Sequence, residues 1–218
     1  MRLPRSAFTS RPWRARALVR DFRVEDVWRL PTPGGPDELD RLVRQFANGN
    51  EGHLASRTSR LLFAVRWRLG RILGWDRPGS GVGGRVPSLR DRLPRDLRDG
   101  ERGPDLRTLP MTSVFQTHDE WVAEMGNATV HGVMHIGWVQ DGSGGHHGVM
   151  TVLVKPNGRL GSLYMALIKP FRHLGVYRAL VREIGREWEI GRSGETAREG
   201  DAVREGDAGC RGRAVRER

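Results

Sequence analysis

The sequence predicts an α+β fold in which an antiparallel sheet packs against a long, kinked C-terminal helix, with further helices in the N-terminal half. Three observations predict it. Four alternating runs between 114 and 155 are joined by short turn-forming connections. A Pro156-Asn157-Gly158 break then introduces a helical apolar pattern reaching about Ile190, with Pro170 inside it. Upstream, residues 37–47 and 56–75 carry apolar side chains at spacings of three and four.

The elements follow in chain order. Residues 1–11 form a basic arm, and Arg14 to Phe22 is expected as a first strand. Asp37 to Ala47 fits a short helix, with Leu39, Leu42, Val43 and Phe46 on one side. Ser56 to Trp75 fits a longer one, with Leu61, Leu62, Val65, Leu69, Ile72 and Leu73 as its stripe and Gly74 to end it. Residues 77–110 are rich in Pro, Gly, Asp and Arg without a period, and read as a long irregular loop. Within it, Gly79-Ser80-Gly81-Val82-Gly83-Gly84 matches G-x-G-x-x-G. A dinucleotide site also needs a strand before and a helix after, and neither is present, so no cofactor is assigned.

Val114–Thr117, Glu120–Gly126, Thr129–Val139 and His147–Lys155 are the expected strands. With Asn127-Ala128 as a two-residue turn, Gly126 pairs Thr129, Met125 pairs Val130, Ala123 pairs Gly132 and Trp121 pairs Met134. The opposite face sets Glu124 against His131 and Glu120 against His135. One turn thus sorts both strands into an apolar and a polar face. The apolar face, with Trp121, Met134 and Trp138, is expected to grip the helix, and the Glu–His face to lie in solvent. Residues 12–190 then make one domain. The tail 191–218, with its AREGDA and VREGDA repeat, has almost no apolar surface and is expected to be disordered.

The run GRLGSLYMALIKPFRHLGVY, Gly158 to Tyr177, resembles the end of a bacterial family, domain of unknown function 2867. Its members share a Leu-Gly-x-x-Tyr helix start and a Pro-Phe-x-x-Leu continuation. These stand here as Leu160, Gly161, Tyr164, Pro170, Phe171 and Leu174. The resemblance spans roughly 36–190 and is strongest from 110 on. It departs after Phe171, where Arg172 replaces the usual histidine, so no role is carried to His173. The family in turn resembles the START-like (SRPBCC, helix-grip) superfamily. That resemblance implies a sheet wrapped around the C-terminal helix, with a cavity between them for an apolar ligand.

Composition bounds the function. Hydrophobic residues are 37% of the 218, and 29 glycines bring the apolar class to a normal globular level. Unbroken apolar runs such as Leu61 to Val65 are far below the ~20 residues of a membrane span, so the chain is not expected to be membrane-integral. No apolar run follows the basic start, so no secretory signal is expected. The single cysteine, Cys210, excludes a disulfide framework and a cysteine-based zinc site, and makes the cytoplasm the expected compartment. The net charge is +11, but all of the 37 basic residues except Lys155 and Lys169 are arginine. The charge lies in the N-terminal half, including Arg57, Arg60, Arg68 and Arg71 along one helix side. No nucleic-acid recognition motif appears and no aromatics interleave with the arginines, so no stable nucleic-acid partner is expected.

The favoured function is non-catalytic binding of a small apolar or amphipathic ligand between sheet and helix. Tyr164 would bond its polar end, and Trp138, Met134, Leu167 and Phe171 would supply apolar walls. No catalytic residue and no metal ligand is assigned. Two alternatives stand beside this. One is a cyclase- or hydrolase-type enzyme using the Glu120, Glu124, His131 and His135 face. The other is an anionic-surface or nucleic-acid binder acting through the N-terminal arginines.

Overall fold

The computed structural model describes residues 1–48, 81–84, 86–107, 109–158, 161, 165 and 177–193. Its strands are β1 (Arg2–Leu3), β2 (Arg23–Arg29), β3 (Thr112–Gln116), β4 (Glu120–Gly126), β5 (Val130–Gln140) and β6 (His146–Pro156). They form one sheet in the order β1-β2-β6-β5-β4-β3, and every neighbouring pair is antiparallel. The helices are α1 (Ser6–Thr9), α2 (Ala15–Leu18), α3 (Leu39–Asn48), α4 (Arg95–Arg98) and a C-terminal helix over 177–193, with a 3-10 turn at Leu89–Arg92.

The meander β3–β4–β5–β6 agrees with the strands expected from sequence to within two residues at each end. Its central register does not. Ala123 pairs Met134, Trp121 pairs Ile136 and Gly126 pairs His131, a shift of two from the expected pairing. The cause is local. Asn127 Oδ1 accepts the Thr129 N–H at 2.9 Å, the Thr129 hydroxyl at 2.8 Å and the Val130 N–H at 3.0 Å. That cluster holds Asn127–Val130 as a four-residue turn, closed by the Asn127 N–H on the Val130 carbonyl. Side chains alternate with period two along a strand, so an even slip leaves both faces as assigned.

A second difference concerns Arg14–Phe22. It is not a strand: it holds the single turn α2, and the first long strand is β2. The N–H groups of Arg14 and Ala15 are taken by the Glu120 carboxylate, a partner 106 residues away that local sequence cannot reveal.

The sheet is covered on both faces. One face carries Val122, Val133 and Leu153 under Phe8, Trp13, Leu18 and Phe22 from the N-terminus and Leu89, Leu93 and Leu97 from the turns around α4. The other carries Trp121, Ile136, Trp138 and Met150 under Leu39, Leu42, Val43 and Phe46 of α3 and Val181, Ile184 and Trp188 of the C-terminal helix. Glycines set two close approaches. A Cβ on Gly148 would lie 2.7 Å from Leu42, so α3 sits directly on β6. A Cβ on Gly185 would lie 2.4 Å from Pro31, which fixes the C-terminal helix against the segment after β2.

Candidate functional site

The polar face of the β4–β5 hairpin is interior. Glu120, Glu124, His131 and His135 are all buried, which corrects the expectation of a solvated face. The aromatic side chains that bury it come from the N-terminal segment between Phe8 and Phe22. His135 meets Phe8 and Trp13 edge-on at 5.1 and 5.0 Å, and His131 meets Phe22 at 4.9 Å. Gly137 leaves room for the Trp13 ring, because a Cβ there would lie 2.6 Å from it.

Each carboxylate ties a crossing segment to the sheet. Glu120 accepts the backbone N–H of Arg14 at 2.7 Å and of Ala15 at 3.2 Å, and lies 3.2 Å from His135 Nε2. Glu124 accepts the Ser88 hydroxyl at 2.6 Å and the Leu89 N–H at 3.0 Å, and lies 2.8 Å from His131 Nε2. Burial opposes ionisation of Glu124, but the hydrogen bonds from His131, Ser88 and Leu89 outweigh it and hold the carboxyl below its ordinary range. At neutral pH the carboxylate is therefore ionised, and His131 Nε2–H donates to it. Chemically these are two separate Glu–His tethers. Among the described residues no group of three or more His, Cys, Asp or Glu side chains is placed to hold a metal.

The opposite face meets the C-terminal helix. Of the residues expected to line a ligand site, Trp138 and Met134 both lie on it. They are four residues apart on β5, about 13 Å along the strand, and their surroundings differ. Trp138 donates its indole N–H to the Gly35 carbonyl at 2.8 Å and packs against Trp188, with ring centroids 6.0 Å apart. It closes one end of the face. Met134 stands at the other end, in a row across the sheet with Val152 and Asp26. Val152 is on β6, an interior strand, yet it is only half-buried. Tyr164, Leu167 and Phe171, together with the Pro170 kink and Arg57, Arg60, Arg68 and Arg71, lie outside the described residues.

Two residues at this end were not singled out from the sequence. Asp26, 3% exposed, pairs with Arg2 of β1 at 3.1 Å. Trp28 follows two residues later on the same face, stacked on Tyr177 with centroids 6.0 Å apart and rings 21° from parallel. No period-two signal marks them: Val24-Glu25-Asp26-Val27-Trp28 does not alternate, and the strand's register shifts between Val24 and Asp26.

The fold defines an α+β protein whose single antiparallel sheet is buried on both sides. More particularly, the chain belongs to the family described as protein of unknown function (DUF2867), whose model matches residues 18–179. The match begins upstream of β2 and so takes in all of the sheet except β1. We find no match among curated proteins and none among solved structures.

Proposed function

We propose that this protein binds a small apolar or amphipathic molecule, without catalysis, between the sheet and its C-terminal helix. The observation that carries this reading is Val152. A side chain on an interior strand should be sealed by the layer above it, as Met150 is at 1% exposure, whereas Val152 stays half-buried beside Met134. An apolar floor with an incomplete cover fits a ligand-binding cleft. In this reading the sheet wraps the helix in START-like fashion and the helix kinks at Pro170. Met134 forms part of the floor, Leu167 and Phe171 the cover, Tyr164 bonds a polar end, and Trp138 closes the far wall. The reading places the protein in the cytoplasm.

The test is native mass spectrometry of protein purified from its own host. A retained small mass, lost in Met134→Trp but kept in Gly142→Ala, supports the reading. Co-purifying nucleic acid or a stoichiometric metal in place of a small organic mass would point to the alternatives.

A further inference from the structure

The sheet face beneath the N-terminal segment holds two buried polar atoms that complement each other. His135 Nδ1 and the Thr151 hydroxyl are both sealed from solvent, and neither meets a hydrogen-bond partner among the described residues. Most buried polar groups are paired, so two orphans side by side call for an explanation. His135 and Thr151 stand directly opposite each other on β5 and β6. Such partners share a face of the sheet, with Cβ atoms about 4.5–5.5 Å apart. The proton positions follow from Glu120. Its Oε1 accepts the Arg14 N–H at 2.7 Å, and its Oε2 accepts the Ala15 N–H at 3.2 Å while facing His135 Nε2 at 3.2 Å. Both oxygens are acceptors, so the Nε2 beside them carries the proton. A neutral imidazole then offers Nδ1 as a bare acceptor, and a threonine hydroxyl can donate. The ring gives the direction. Nε2 and Nδ1 lie on opposite sides of the Cβ–Cγ bond, and β4 and β6 flank β5 on opposite sides. With Nε2 turned to Glu120 of β4, Nδ1 is turned towards β6, the strand of Thr151.

We infer that the Thr151 hydroxyl donates to His135 Nδ1, directly or across one water, and that Thr151, His135 and Glu120 form a relay that latches the N-terminal segment to the sheet. Thr151 and His135 act as positioning residues. The hydroxyl fixes the tautomer and tilt of the ring, the ring holds the carboxylate, and the carboxylate holds the backbone of Arg14 and Ala15. The relay belongs to one of the two Glu–His tethers. Across from His131 stands Lys155, whose ammonium goes to Asp21 at 2.7 Å, so the Glu124 tether has no hydroxyl in that place. The latch lies on the face away from the proposed cleft and does not depend on it.

The experiment uses the full chain labelled with nitrogen-15. Long-range proton–nitrogen correlation spectra should show His135 neutral, with its proton on Nε2 and its Nδ1 resonance upfield of a free imidazole acceptor. Thr151→Val keeps the shape and removes the donor, so the Nδ1 resonance should move downfield to the free position. The amides of Arg14 and Ala15 should then exchange with solvent roughly two- to tenfold faster, the range of one net hydrogen bond. The Leu89 amide, held by Glu124, should change less than twofold. Thr151→Ser restores the hydroxyl and should return both readouts. Thr151→Ala, which removes the same donor, takes the place of the valine variant if that one does not fold. A proton on Nδ1, or an Nδ1 resonance that does not move when the hydroxyl is removed, overturns the hydrogen bond. If the resonance moves but the Arg14, Ala15 and Leu89 amides accelerate together, or none does, the relay does not latch the segment.

Discussion

Trp13 lies across Gly137, so close that a single added Cβ would stand 2.6 Å from its ring. The contact joins the N-terminal layer to the middle of β5. Gly137→Ala should therefore displace Trp13 and cost about 1–3 kcal/mol by overpacking. Gly142→Ala, where nothing lies within 4 Å of the new Cβ, should be close to neutral. Urea unfolding of the two variants separates them, and equal midpoints would show that Trp13 does not pack there.

Glu124→Ala should destabilise by about 1–3 kcal/mol, the cost of leaving buried donors without their acceptor. It leaves His131 and the Leu89 N–H without their acceptor. A loss under 1 kcal/mol would mean that this face is solvated after all.

The same carboxylate sets an acid limit. Its folded value lies below the ordinary 4.5, so it binds fewer protons folded than unfolded across that window. Its contribution is complete above pH 4.5 and is lost as pH falls through the lower folded value. Stability of the wild type should thus drop on acidification from pH 5 to 3 more steeply than that of Glu124→Gln, which has no proton to gain. Parallel pH profiles would contradict the assignment.

Trp121 is fully buried on the helix side, bonded to Ser113 and tilted against Phe46 with centroids 6.4 Å apart. Trp121→Ala should cost about 3–5 kcal/mol, as for other large core aromatics, read as a fall in the urea midpoint at constant slope.

The faces of the β4–β5 hairpin were legible because alternation survives an even slip in register. The register itself was not, since Asn127 uses its side chain to build a longer turn. Burial of the Glu–His face was invisible for a different reason. Charged residues on one side of a strand read as solvent-facing, and only the fold brings Phe8, Trp13 and Phe22 over them. The helix-side face was read from Trp121, Met134 and Trp138 alone, which found the correct side. Trp28 and Asp26 went unseen because their strand was placed nine residues too early.

The tether from Glu120 to the backbone of Arg14 also has a bearing on synthesis. The two residues are 106 apart, so at ordinary translation speeds the acceptor is made about 5–20 s after the donor. Throughout that interval Phe8, Trp13 and Phe22 have no sheet to cover, and β2 lacks β6, its principal neighbour. A nascent chain cut short before the hairpin presents an aromatic cluster to the cell's chaperones. The N-terminal layer can close only after nearly the whole meander has left the ribosome.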